Sequence, residues 1–325
     1  MTGPIRHLDA ASYQRHLVHG QGRVWAETNC YVDVLIELLH GLGFEPIAAM
    51  PFTLRIDFEG DQWTFFKFPH ADLLELFGLD VQELNPWRGR LAEHVDEQVG
   101  LGRPVLVELD SYFLPDTHGT AYKLAHVKST VAVNEIDIAA RHMGYFHGQG
   151  YYHLDGQDFA DIYQLEGLVH ERMLPPYIEY VKILDRPKLE GRALVDASVS
   201  TLRRHVALLP ETNPFRTFRA RFERDLQWLM AEPIDAFHTY SFATFRQYGA
   251  CFELVETYLA WLARGGEQGL DEAVAAFRDI SSTTKTLQFQ LARAMARKRE
   301  LPLEPLDQAA ALWNRGMSVV RERYG

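Results

Sequence analysis

"WAETNCYVDVLIELLHGLGFEP", residues 25–46, sets a short polar segment against a run whose apolar residues recur with the period of a helix. Val34, Leu35, Leu38 and Leu39 share one face of a helix predicted over about 29–41, and Gly41 and Gly43 end it. Thr28 and Asn29 are the residue types that cap a helix start. Cys30 therefore falls in the first turn, where unpaired N–H groups and the positive end of the helix dipole favour a thiolate. The sulfur is then either a nucleophile at neutral pH or a small hydrophobe filling the core.

Around this helix, residues 25–165 carry short runs of β character: "FTLRIDF", "QWTFFKF", "PVLVELD", "VKSTVAV", "HMGYFH" and "YYHL". Past "RPKLEG" (186–191) the period changes. Amphipathic helices are predicted at about 193–208, 215–231, 235–264, 269–298 and 305–323, broken where Pro or Gly interrupts the pattern. The expected fold class is α+β, with an α+β catalytic domain at 1–185 followed by an all-α helical bundle at 186–325.

Composition narrows the function classes. At 325 residues and 47% apolar the chain has ample material for a buried core. No apolar run approaches the roughly 18 residues of a membrane span, and the first ten residues lack a secretory pattern, so a cytoplasmic location is expected. The net charge of −11 argues against nucleic acid as a partner. Residues 1–184 hold 13 Lys and Arg against 26 Asp and Glu, whereas 185–325 hold 20 against 18. The second half also carries local basic clusters, Arg216, Arg219, Arg221 and Arg224, then Arg293, Arg297, Lys298 and Arg299. Cys30 and Cys251 are read as reduced thiols, the second one packing only.

A thiolate nucleophile needs a base, and the base needs an orienting group. His126, just ahead of "VKSTVAV", would place its imidazole at a strand end. "HMGYFHGQGYY" can form a hairpin with that strand across the polar turn "NEIDIAAR" and brings His147 to its end. A helix-borne cysteine facing a strand-borne histidine is the papain-like arrangement. Any one of His118, His126, His142, His147 and His153 could instead be a surface or hydrogen-bonded core residue. Zinc ligand spacing is not recognisable among them, so no metal site is expected.

"ETNCYVD", "FEGDQWTFFKFP", "LNPWRG", "GRPVLVELDSYFLPDT", "HVKSTVAV" and "MGYFHGQGYY" together resemble a bacterial family of unassigned function. The first half is similar, more distantly, to the N-terminal domain of butirosin biosynthesis protein H, a papain-like acyltransferase. That resemblance implies that Cys30 is the nucleophile and His126 the base. It implies an acyl or aminoacyl transfer from the phosphopantetheine thioester of an acyl carrier protein, through a Cys30 acyl-enzyme, to a small-molecule amine acceptor. No cofactor would be bound, because the phosphopantetheine travels with the partner. The third catalytic position departs from the wider pattern, leaving His147 or Asp110 as the orienting group.

In such a reaction the Cys30 backbone N–H would hold the oxyanion, with Asn29 or Gln62 as a side-chain donor worth about 3 kcal/mol. Trp63 and the pair Trp87 and Arg88 are candidates for the cleft border. For the acceptor, His238, Arg246, Gln247 and Glu253 interrupt an otherwise apolar helix, and Lys285 and Gln288 follow in the next one. These residues would line a pocket, pair with one another across the bundle, or simply face solvent. A carrier protein is acidic, so the arginine clusters are candidate docking faces. Two further readings use the same residues: a cysteine peptidase or amidase releasing acid to water, and a non-catalytic carrier- or metabolite-binding protein.

Overall fold

The computed structural model describes residues 3–87, 89–167 and 176–325. In chain order its helices are α1 (Cys30–Gly41), α2 (His70–Phe77), α3 (Leu91–Gly100), α4 (Gly156–Ile162), α5 (Gly191–Val206), α6 (Pro214–Leu229), α7 (Ile234–Ser241), α8 (Gln247–Arg264), α9 (Asp271–Arg297) and α10 (Glu304–Tyr324). The strands are β1 (Phe58–Glu59), β2 (Gln62–Trp63), β3 (Leu79–Glu83), β4 (Val105–Asp110), β5 (Lys128–Asp137), β6 (His142–His147), β7 (Gly150–Asp155) and β8 (Ile178–Ile183). The class is mixed α+β. The chain divides into two compact units, one of Met1–Gly20, Asn29–Pro46 and Pro69–Lys188, the other of Gln21–Thr28, Ile47–Phe68 and Leu189–Gly325. The helical half thus takes in two segments, 21–28 and 47–68, that lie on the first side of the expected cut at 185/186.

The first unit is built on an antiparallel sheet in the order β3-β8-β4-β5-β6-β7. One face is apolar. Val105, Val107 and Leu109 of β4, Val131 and Val133 of β5, and Met143 and Tyr145 of β6 meet Ala92, Val95 and Val99 of α3 and Phe159 and Ile162 of α4. Helix α1 lies against the other face, over β5, β6 and β7. It begins at Cys30, where the Asn29 side-chain oxygen accepts from Val32 N at 2.9 Å, and Gly43 stands just beyond it at φ +74°.

The buried side of α1 carries charge. Asp33 and Glu37 are enclosed there with His19, which pairs with Glu37 through Nδ1 and lies 3.2 Å from Asp33 Oδ1 through Nε2. Burial alone would push the His19 imidazole down, but its two carboxylate partners outweigh it and raise the value to about 9. Glu37 also accepts from His16 N at 3.1 Å and from Tyr13 Oη at 2.6 Å, which ties the N-terminal segment to the helix.

The second unit follows the predicted helices closely. The stretch expected as one helix over 235–264 is interrupted by a π-turn at Phe242–Arg246. "FTLRIDF" and "QWTFFKF", expected as strands, form a 3₁₀ turn over Pro51–Arg55 and a ladder only two residues long. Pro51 fixes the backbone at the start of that turn and Thr53 Oγ1 closes it on Met50 O at 2.6 Å. Their aromatic residues serve the core instead: Phe58 and Trp63 pack on Phe218 at 5.2 and 5.5 Å between ring centroids. Cys251 is buried, donates to Thr53 O at 3.3 Å, and burial pushes its thiol up. Glu253 reaches back to segment 21–28, accepting from Val24 N at 2.7 Å and Trp25 N at 3.0 Å, with Arg23 at 3.4 Å.

Two stability predictions follow from these carboxylates. His19 has a folded value of about 9 against the ordinary 6.5, so its contribution is fully present below pH 6.5 and is lost as pH rises through 9. His19→Gln should lower stability by about 3 kcal/mol at pH 6 in urea unfolding and flatten the wild-type decline between those pH values. Glu253→Ala strands one buried and one part-buried backbone donor and should cost about 3 kcal/mol by the same measurement.

Candidate functional site

Strands β4 and β5 set the geometry. Asp110 pairs with Lys128, Leu109 with Ser129, and Glu108 with Thr130. Directly paired residues share a face, and alternate residues of one strand return to it. Glu108, Asp110, Lys128 and Thr130 therefore project on the α1 side, while Leu109, Ser129 and Val131 project into the apolar layer.

His126 precedes β5 by two residues. Its Nδ1–H donates to Asp110 Oδ2 at 2.6 Å, and its ring stacks on Tyr112 with centroids 4.4 Å apart. The carboxylate fixes the tautomer and leaves Nε2 as the basic nitrogen. The side chain is 67% exposed, so Nε2 is open to a bound molecule. The pair stands at a cavity of about 550 Å³, walled by Trp87, Leu91, Ile162 and Tyr163. Glu108 and Lys128, joined at 2.7 Å, supply a charged edge to the same cavity. A base held by a carboxylate beside a mostly apolar cavity can take a proton from a nucleophile and return it to a leaving group. Arg88 lies outside the described residues.

Cys30 is the first residue of α1, as predicted, and is half-buried. Its sulfur lies 3.7 Å from Thr130 Oγ1. Among the described residues no hydrogen bond joins Cys30 to His126. Four residues separate Thr130 from His126, a span of up to about 13 Å, and His126 lies before β5 beside the cavity that Leu91, Ile162 and Tyr163 wall. Asn29 is buried, and its side-chain oxygen is committed to the helix cap. The neighbour Tyr31 donates to Glu179 Oε2 at 2.8 Å, Tyr177 donates to Oε1 at 2.6 Å, and His70 lies 3.1 Å from Oε1. Burial pushes the Glu179 carboxyl up, but these partners outweigh it and hold it below the usual range.

His147 occupies the other face. Its Nδ1–H donates to Asp116 Oδ2 at 2.5 Å and its Nε2 accepts from Ser129 Oγ at 2.7 Å. Of the two orienting groups expected for His126, the structure brings Asp110 to it and gives His147 a different carboxylate. The order hydroxyl, imidazole, carboxylate is that of a nucleophile relay. The chain is enclosed, however, with His147 and Asp116 side chains only 10% and 6% exposed, and Asp116 also accepts from Tyr145 Oη at 2.5 Å. It reads as a satisfied polar network inside the apolar layer. Asp116 lies on a 3₁₀ turn, where nothing in the sequence pattern marks it.

The remaining candidates belong to the second unit. Gln62 is exposed and Trp63 is buried against Tyr248 at 4.6 Å. Gln247 donates to Thr64 O at 3.0 Å, Arg246 pairs with Glu27 at 2.8 Å, and His238 is exposed beside Phe237. Lys285 sits over the Trp25 ring at 4.1 Å, where burial and Arg246 push its ammonium down. Gln247, Arg246 and Glu253 thus find partners within the unit, in segments 21–28 and 47–68 and not among one another. The first arginine cluster is partly spent in the same way: Arg219 meets Asp307 at 2.7 Å and Arg221 meets Asp225 at 2.7 Å.

Among the described residues no helix is long and apolar enough to cross a membrane. No curated protein matches the chain. Residues 14–183 match the DUF1839 N-terminal domain and residues 191–322 match the DUF1839 C-terminal domain. With both domains present in order over most of its length, the chain belongs to the DUF1839 family.

Proposed function

We propose that the first unit transfers an acyl or aminoacyl group from a thioester to an amine, with Asp110 and His126 handling the proton. The observation that carries this is the Asp110–His126 pair, bonded at 2.6 Å and exposed beside the 550 Å³ apolar cavity. The distant resemblance to an acyltransferase domain supports the choice of acyl chemistry. The cavity walls suit the acyl and pantetheine portion of a carrier-borne thioester, whose apolar parts lose water on binding. The amine attacks the thioester carbonyl as His126 Nε2 accepts its proton. The intermediate then expels the thiolate, which takes the proton back, giving an amide and a free thiol. Asp110 keeps Nδ1 protonated and steadies the imidazolium while it lasts.

A second reading keeps Cys30 as the covalent carrier. Its position at the first residue of α1, with its sulfur 3.7 Å from Thr130 on the strand that His126 precedes, favours it. Thioester exchange onto Sγ would then precede attack by the amine or, in a hydrolase, by water.

Incubating the protein with glycyl- and acetyl-pantetheine thioesters and a primary amine, and measuring amide and acid by mass spectrometry, tests both. His126→Asn and Asp110→Asn should each lower turnover about 100-fold or more with substrate binding little changed. Cys30→Ser with unimpaired turnover supports direct transfer, whereas an acyl adduct on Cys30 together with loss in Cys30→Ser supports the covalent route. Full activity in His126→Asn overturns the proposal, the more so if Ser129→Ala is inactive.

A further inference from the structure

At the opposite end of β5 three metal-ligating side chains converge. Glu135, Gly144 and His153 are direct cross-strand partners on β5, β6 and β7, and His142 lies two residues before Gly144 on the same face. The ladder slips between Val133 and Glu135, leaving Asn134 as the extra residue of a bulge. Unbroken alternation from Val133 would send Glu135 into the apolar layer; the bulge turns it to the histidine side instead.

Gly144 completes the cradle. A Cβ there would stand 2.4 Å from Glu135 Oε1 and 2.1 Å from Tyr151 Oη, so the bare middle strand is what lets Glu135 and His153 meet across it. His153 Nε2 is 3.5 Å and His142 Nε2 3.9 Å from Glu135 Oε1, and one ligand atom from each residue lies within 4.8 Å of the others. Two ligands on a tetrahedral ion with bonds of 2.0–2.1 Å stand about 3.4 Å apart, so modest side-chain adjustment closes the set. Outer partners are in place as well. His142 Nδ1–H donates to Asp155 Oδ1 at 2.6 Å, which fixes Nε2 toward the ion, and Tyr151 Oη donates to Glu135 Oε1 at 3.0 Å.

We propose that Glu135, His142 and His153 bind a divalent transition metal, with zinc the best fit. Two imidazoles and one carboxylate suit Zn²⁺ and not Ca²⁺ or Mg²⁺, which take oxygen sets. Partial exposure of all three leaves the fourth position to water or a ligand.

The test uses the full, untagged chain, stripped with chelator and titrated with Zn²⁺ by calorimetry and with Co²⁺ by visible absorption. One equivalent of Zn²⁺ should bind, and Co²⁺ should show the intense bands of a low-coordinate site. His153→Ala, at a partly exposed position that leaves the fold intact by circular dichroism, and Glu135→Gln should each weaken binding about 100-fold or more. Asp155→Asn should weaken it about 10-fold through the outer shell. Absence of stoichiometric binding, or affinity unchanged in His153→Ala, overturns the assignment and leaves the three side chains as a proton-sharing surface cluster.

Discussion

A side chain leaving β5 has only two directions open to it, and that constraint decides which polar groups can act together. Odd positions from Ser129 to Val133 face the layer covered by α3 and α4, where Val131 and Val133 join the apolar core. Even positions from Lys128 to Ala132 face α1, the helix that presents Cys30. His147 pairs with Val131 and so belongs to the first set, while Asp110 pairs with Lys128 and belongs to the second. No side-chain rotation exchanges them, because the backbone stands between. The consequence is chemical: a histidine orienting His126 from β6 is excluded by parity, and a carboxylate from β4 takes the position.

The one place where the rule is broken is held deliberately. The side-chain amide of Asn134, the extra residue of the bulge, accepts from Ile5 N at 2.8 Å and donates to Ile5 O at 3.0 Å, so the bulge holds the segment around Ile5 by satisfying its backbone groups. Asn134 is buried, and an amide there supplies both donor and acceptor where the ladder supplies neither. Past it, Ile136 returns to the apolar layer and Glu135 stays with the histidines.

How much of this was legible in the sequence depended on the range of the interaction responsible. Helix α1 could be read because its cap, period and terminating glycine all lie within the segment, and the helices of the second unit for the same reason. Strands β4, β6 and β7 showed through apolar or aromatic runs. Strands β3 and β8 did not, since charges interrupt the short apolar patterns of "LDVQE" and "IEYVKI", which are held in the sheet by pairing with each other and, for β8, with β4. The aromatic runs at 52–58 and 62–68 looked like strands because core-filling phenylalanines and strand-forming ones are the same residues. For the site, Cys30 at a helix start and Asp110 beside His126 were readable from local pattern and strand ends. The separation of Cys30 from His126 along the strand, the partnership of His147 with Asp116, and the Glu135 cluster were not, because each depends on register or on a one-residue slip.

Distance along β5 also bears on whether the two candidate centres of the first unit can cooperate. His126 and Glu135 are nine residues apart, which at about 3.3 Å per residue is close to 30 Å, shortened slightly by the bulge. An acyl chain with its pantetheine arm is extended enough to reach across part of that span, but a proton or a metal-bound hydroxide is not. Nor does charge bridge it: beyond a screening length of about 8 Å in physiological salt, a divalent ion at Glu135 has little effect on the exposed imidazole of His126. An ion at the β5–β7 edge would therefore act where it binds. It would clamp three strands already joined there by the backbone ladder and by the His142–Asp155 and Tyr151–Glu135 hydrogen bonds, and offer its open position to a ligand of its own, apart from the proton chemistry proposed for Asp110 and His126.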